Sequence, residues 1–439
     1  MNKSLIILVA TATFLVGCGG GSGDGFAGPQ TGTSECSNDG QKSFVLEAMR
    51  DIYFWNDLLP TNVDLNQFAS PEELLVSLTS VQPLDRFSFI GSAAADAAFF
   101  NEGETVAFGF STTFLSADDV RFVRVFAGSP ADNAGIERGQ RLLAVDGRTI
   151  AEIEAAEGLG EAFGPSETGV QRTLRIQLPD NSEFDAVLTK AVFTIDPVPQ
   201  VRTYTINGTT FGYIELSTFI STAQAPLEAA LSDFNQAGIN DLILDLRYNG
   251  GGLVSIANLL GDLLGGRVAQ GRVFSETLFN DGNIDENVTE FFDLLNQSMN
   301  LSRLVVITTG GTASASELVI NSMEPEVQVQ LVGSDTFGKP VGQVGIVFCE
   351  KILRPTAFET VNNLGEGRYF DGLPVDCPAA DDVFSEVGSQ QDPSTAAALA
   401  LLSTGACPPA PAQAKAVQEI APFTPPRART TAQAEAYIY

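Results

Sequence analysis

Short apolar runs alternate with helical patterns from about Val201 to Gly405, and no other feature of this 439-residue chain restricts its fold as tightly. Phe211–Leu216, Leu242–Leu246 and Leu304–Thr308 have the length of buried strands, whereas Leu253–Leu264 has the length and spacing of a helix. Strand and helix in succession argue for an α/β layer architecture. The flanking regions differ in texture. Residues 34–100 are helical, with Phe44, Leu46, Met49, Ile52 and Tyr53 at helical spacing and Pro71 opening a second helix. Residues 101–192 show short alternating runs such as Val120–Val125, the pattern of half-buried strands. The expected divisions are therefore 34–100, 101–192 and 200–405, followed by a Pro/Ala-rich tail over 406–439. No internal repeat is present.

Charge and composition exclude several functions. Lys+Arg 24 against Asp+Glu 54 gives a net charge of −30, which repels a phosphate backbone, so no nucleic-acid partner is expected. The chain contains no histidine. A Ser-His-Asp or Cys-His catalytic set is therefore impossible, as is a zinc site that needs imidazole; the chemistry read from the motifs below needs no metal or organic cofactor. Any activated nucleophile needs another base, and the lysines are only Lys3, Lys42, Lys190, Lys339, Lys351 and Lys415.

Met1-Asn2-Lys3 precedes an apolar run from Leu5 to Val16 that is too short to span a bilayer and suits a signal peptide over 1–17. The run ends in Leu15-Val16-Gly17-Cys18, which resembles a bacterial lipobox. That resemblance implies a lipid on Cys18, a Gly-rich tether over 18–33, and a place in the cell envelope, on the outer membrane facing the periplasm. An ordinary secretion signal with an incidental cysteine is the alternative. The remaining Cys36, Cys349, Cys377 and Cys407 suggest two disulfides in an exported protein. Cys349 and Cys377 flank a 27-residue Gly-rich segment and are the preferred pair, leaving Cys36 with Cys407.

Gly128-Ser129-Pro130-Ala131-Asp132-Asn133-Ala134-Gly135-Ile136, followed by Gly139, Leu142 and Val145-Asp146-Gly147, resembles the PDZ domain of bacterial proteases, with Gln140 where Asp is usual. Ser-Pro-Ala starts a short helix, Gly135 ends it, and Asp146-Gly147 makes a hairpin turn. In a PDZ domain Phe108, Gly109 and Phe110 would lie in the loop whose backbone captures a peptide's terminal carboxylate. Core aromatics are the alternative for both rings.

Thr312-Ala313-Ser314-Ala315-Ser316-Glu317 follows a strand and a Gly310-Gly311 turn and leads into a helix. A serine there is exposed among unpaired backbone N–H groups. Lys339 lies 25 residues after Ser314 and Gln343 four after Lys339, within Thr336-Phe337-Gly338-Lys339-Pro340-Val341-Gly342-Gln343. This spacing, with Asp245-Leu246-Arg247-Tyr248-Asn249-Gly250-Gly251-Gly252, resembles the C-terminal processing peptidases, or tail-specific proteases, across about residues 40–350. Leu84–Phe89 is similar to the segment that ends the family's cap. Pro340 departs from the family's glycine.

The resemblance implies a Clp-protease/crotonase-like α/β core with an inserted PDZ-like β domain and an N-terminal helical cap. It implies a serine endopeptidase with Ser314 as nucleophile, Lys339 as base and Gln343 orienting it, and an oxyanion hole from the N–H groups of Ala315 and of Gly251, or alternatively Gly252. Ser316 is the other candidate nucleophile. Glu317 is expected to favour the helix N-terminus electrostatically, with no catalytic part. Expected partners are proteins or peptides with apolar C-termini, and the membrane through the lipid; the oligomeric state is left open. The competing readings are an inactive PDZ-containing binding protein on the same fold and a crotonase-like acyl-CoA enzyme, which would carry neither signal peptide nor PDZ domain.

Overall fold

A computed structural model describes residues 35–408. The signal peptide, Cys18 and its tether, and the tail beyond residue 408 lie outside the described residues.

The central sheet has six strands in the order Gln200–Ile206, Thr209–Glu215, Asp241–Asp245, Arg303–Thr308, Gln328–Gly333 and Cys377–Pro378. The first two form an antiparallel hairpin over Asn207-Gly208, both at positive φ as a two-residue type I′ turn requires. Every later pairing is parallel. Leu242, Leu244, Leu304 and Val306 face a layer that includes helices Gln224–Gln236, Val254–Gly265 and Ala315–Met323. Ile243, Val305 and Ile307 face helix Pro393–Thr404 on the other side. Strands covered on both faces carry no polar alternation, which is why they read as continuous apolar runs.

A second sheet, wholly antiparallel, orders Val288–Phe291, Val273–Phe279, Thr356–Val361 and Val341–Gln343. At the N-terminal end, helices Asn38–Ile52 and Pro71–Thr79 pack Val45, Leu46, Met49 and Tyr53 with Leu74, Leu75 and Leu78. Ser37 and Ser70 cap these helices, and Pro71 occupies a first turn where no N–H is needed. The same cluster takes Phe348 and Leu353 from the hairpin of Ile346–Phe348 and Lys351–Arg354, which pairs with Phe89–Ser92.

Between these parts, antiparallel strands Phe110–Ser116, Asp119–Val125, Arg141–Val145, Gln171–Gln177 and Glu183–Thr189 enclose their own core of Phe108, Phe110, Phe122, Leu142 and Phe163. Strand Phe110–Ser116 is an edge of this sheet. Ser129 caps the short helix Pro130–Asn133, Gly135 has positive φ, and Asp146-Gly147 turns the chain between Val145 and Arg148, as their residue types predict. This β module meets the α/β core through Arg124–Glu215 on the central sheet (2.7 Å) and Arg138–Asp381 in the loop after its last strand (3.4 Å).

The expected disulfides Cys349–Cys377 and Cys36–Cys407 are corrected: the bonds are Cys36–Cys349 and Cys377–Cys407. Cys349 turns the Ile346–Arg354 hairpin, which folds onto the first helix with Phe348 stacked on Phe44 at 4.8 Å. Cys377 forms the last strand of the central sheet, and helix Pro393–Thr404 returns Cys407 to it. Nearness along the chain does not decide the pairing, because the segment between Cys349 and Cys377 passes from one sheet to the other.

Candidate active site

Ser314 leaves the central sheet in a backbone conformation that few non-glycine residues adopt, φ +58 and ψ −117. Such a conformation costs about 1–3 kcal/mol and persists only where its surroundings over-determine it. They do so here. Thr312 Oγ1 donates to the Leu246 carbonyl and accepts from Thr309 N–H, and Ala313 N–H donates to the Asn249 carbonyl. Ser314 heads helix Ala315–Met323, whose first-turn N–H groups have no partner within the helix. Ser316 is wholly buried, and its hydroxyl donates to the Asn249 carbonyl at 3.0 Å.

The Asp245–Gly252 loop lies against this turn. Arg247, buried, is held between Asp245 (2.7 Å) and Asp392 (2.5 Å). Asn249 donates from its amide to the Leu216 carbonyl and accepts Gly251 N–H at 2.9 Å. Gly251 has φ +102, and a Cβ there would lie 2.8 Å from Ser314 Cβ and 2.9 Å from Ala315 N. Glycine is thus what lets the two amide-bearing segments meet. Gly252 is bridged to Phe219, with room for no Cβ.

Lys339 lies just before strand Val341–Gln343 of the antiparallel sheet. Its Nζ donates to Gln343 Oε1 at 2.7 Å. Burial, and then the charge of Arg354, lower its pKa from 10.5 to about 8, against the opposing pull of Asp85 and Glu317. The four-residue spacing of Lys339 and Gln343 thus joins the two side chains, although both backbones are extended or turning rather than helical.

Glu317 links the serine and lysine segments. This buried carboxylate accepts Ser314 N–H (2.9 Å) and Lys339 N–H (2.8 Å) on Oε2, and Gly338 N–H (2.8 Å) and the Thr336 hydroxyl on Oε1. The two backbone nitrogens therefore lie within two hydrogen bonds of each other. Burial raises the Glu317 pKa despite these four donors. The role expected from sequence, an acidic residue in the first helical turn, holds only the smaller part of what this side chain does.

Phe108 and Phe110 do not join this cluster. Their rings are wholly buried and stacked at 6.1 Å within the β module. Gly109 between them has φ +91, with no space for a Cβ beside Ser129. Any carboxylate capture by this loop falls to its backbone.

Sequence reasoning missed Asp392, the partner of Arg247, and it marked Leu84–Phe89 as the end of the cap without giving its turn at Asp85–Ser88 a part in the site. Asp85 accepts Phe87 N–H and Ser88 N–H (both 3.1 Å), and Phe87 passes its carbonyl to Gln343 Nε2 (2.7 Å). An acidic residue two and three positions before its donors is a legible turn signal, but its destination is not. Among the described residues no group of three or more His, Cys, Asp or Glu side chains could hold a metal ion, and no helix is long and apolar enough to cross a membrane.

Peptidase family S41 matches residues 210–368, the Peptidase S41 N-terminal domain matches 40–89, and a PDZ domain matches 121–167. A carboxyl-terminal-processing protease of Synechocystis sp. is 28% identical over 287 residues, covering 64% of this chain and 64% of the relative. One of Picosynechococcus sp. is 29% identical over 222 residues, covering 51% of each. The chain thus spans between about half and just under two thirds of the length of these relatives. A solved putative S41 protease from Bacteroides fragilis has the same fold, with a TM-score of 0.67 at 24% identity, covering 83% of this chain and 97% of that one.

Proposed function

Because the chain belongs to peptidase family S41 and carries its N-terminal domain and a PDZ domain, we propose that it is a serine endopeptidase of the carboxyl-terminal-processing kind. The reading rests on one observation above all: a lysine amine whose hydrogen-bond partner is an amide rather than a carboxylate, lowered to about 8, on a segment tied to Ser314 through Glu317. A lysine near its ordinary pKa of about 10.4 is almost wholly protonated at neutral pH, and lowering it supplies the free amine a base needs.

In the proposed reaction Lys339 Nζ takes the proton of Ser314 Oγ as that oxygen bonds to the scissile carbonyl carbon. The N–H groups of Ala315 and Gly251 hold the resulting oxyanion. Gly251 now donates to Asn249 Oδ1 and would turn that donor to the oxyanion; Gly252 is the alternative. The ammonium of Lys339 then protonates the departing amine nitrogen as the C–N bond breaks. Water then gives a proton to Lys339 as its oxygen bonds to the acyl carbon, and the ammonium returns that proton to Ser314 Oγ as the ester C–O bond breaks. Gln343 Oε1 keeps the amine in place throughout.

The β module would present substrate C-termini, apolar ones by the logic of strand addition, along the open edge of Phe110–Ser116. The lipobox-like Leu15–Cys18 supports a lipid anchor at Cys18 and a place in the cell envelope, on the outer membrane facing the periplasm.

Labelling with a fluorophosphonate, followed by peptide mapping, tests the reading. Modification of Ser314 is expected; an unlabelled, folded protein would favour the inactive binding protein. For the anchor, incorporation of labelled fatty acid should disappear in Cys18→Ser, and equal labelling of both forms would refute it.

A further inference from the structure

The N-terminal cap reaches Lys339, and its contacts there matter to catalysis if this lysine is the base proposed above. We infer that Phe87 is a positioning residue for Lys339: its carbonyl sets the orientation of the Gln343 amide, and its ring screens the amine from water.

Gln343 Nε2 donates both of its hydrogens, to the Phe87 carbonyl at 2.7 Å and to the Arg354 carbonyl at 3.0 Å. With both donors engaged, Oε1 has to face Lys339 Nζ, where it is found at 2.7 Å. The orientation of the amide is therefore imposed from outside the dyad, by a residue 256 positions from Gln343.

The turn that presents this carbonyl is built around a buried carboxylate. Asp85 accepts Phe87 N–H, Ser88 N–H, the Ser88 hydroxyl (2.6 Å) and the Thr356 hydroxyl (3.0 Å). Ser88 Oγ in turn accepts Thr356 N–H at 2.9 Å. Thr356 pairs with Gln343 across the antiparallel sheet, so the cap turn and the lysine strand share one scaffold.

The Phe87 ring centroid lies 5.1 Å from Lys339 Nζ and meets Phe337 edge to face at 6.2 Å. Arg86 covers the Phe337 ring at 4.7 Å. The charged groups acting on the amine are Arg354, which disfavours an ammonium, and Asp85 and Glu317, which favour it, while Arg86 lies over the Phe87 and Phe337 rings. Removing the ring has two opposed effects. It takes away a cation–π contact that favours the ammonium, and it admits water, which favours it more strongly. Burial is the largest cause of the lowered lysine, so the second effect wins and the pKa rises.

The experiment follows the rate at which a fluorophosphonate labels Ser314 in the full chain between pH 6 and 10.5. Wild type should show a rising limb centred near 8. Phe87→Ala should move that limb up by about one pH unit, labelling roughly five- to tenfold more slowly at pH 7.5 and converging with wild type above pH 10. Phe87→Leu, which restores the cover, should return most of the shift. A limb that stays in place or moves down, or a loss uniform across pH, overturns the inference. Should Phe87→Ala not fold by circular dichroism, Phe87→Val is read by the same criterion. Lys339→Arg separates the two readings. If it still labels, the base is misassigned; if it does not and the Phe87→Ala limb is unmoved, only the positioning role fails.

Discussion

Ser314 and Lys339 stand on scaffolds of different kinds. The serine turn is shaped by Thr312, Asn249 and the Leu246 carbonyl, all at one end of neighbouring parallel strands in the central sheet. The lysine stands beside an antiparallel sheet, and its surroundings come from Phe87 in the cap, Gln343 beside it and Arg354 on a separate hairpin. The proposed nucleophile is thus set by local backbone geometry, and the proposed base by a pocket gathered from distant segments. Substitutions should damage the first abruptly and tune the second by degrees.

The largest effects fall on the two side chains themselves. Ser314→Ala and Lys339→Arg should each reduce peptide cleavage by at least about 10³-fold with unchanged circular dichroism, the second because Arg keeps its proton in a protein. Cleavage by Lys339→Arg within tenfold of wild type would dissolve the comparison, since no base would then stand opposite the serine.

Glu317→Gln attacks the link between the regions. All four partners of this carboxylate are donors, and an amide would turn its own N–H groups toward some of them. Each buried donor left unpaired costs about 1–3 kcal/mol. Cleavage should fall about 10- to 100-fold, and the melting temperature should drop with it. Loss of activity with no loss of stability would mean that the link orients the dyad without holding the fold.

The same contrast explains what was legible in the sequence. Ser314, its helix and the Gly251 loop belong to strand–turn–helix units whose apolar runs and glycines are contiguous, so each unit could be read from its residues, while the meeting of the two loops came only from the resemblance to the peptidase family. The antiparallel sheet draws together residues 273–291 and 341–361 with no continuous apolar signal, and the cap turn meets it from residue 85 onward. The disulfides failed for the same reason, because Cys36 and Cys349 are joined by a contact between helix and hairpin that no short-range pattern contains. Asp392 was hidden in the same way, 145 residues from the Arg247 it neutralises.

A smaller effect, on stability, sharpens the lysine side without relying on catalysis. Lys339 has a folded pKa of about 8, below its unfolded value of 10.5. Between these values the unfolded chain binds more protons, so stability should rise as pH goes from 8 to 10.5, by up to about 3 kcal/mol. The quantity to measure is the difference between wild type and Lys339→Met in denaturant unfolding at pH 7 and pH 10.5, which cancels the other titrating groups. A difference independent of pH would mean that the amine is solvated.

The smallest expected effect concerns the neighbouring hydroxyl. Ser316 is wholly buried and donates to the Asn249 carbonyl, which also accepts Ala313 N–H at 3.0 Å. Ser316→Ala therefore removes one hydrogen bond and leaves its acceptor satisfied, and alanine suits the helix. The loss should be about 0.5–1.5 kcal/mol of stability, with cleavage within about threefold of wild type and one fluorophosphonate bound per chain. If Ser316→Ala abolished labelling while Ser314→Ala retained it, the strained turn at φ +58 would not be what exposes the nucleophile. The abrupt, local character assigned to the serine region would then fail with it.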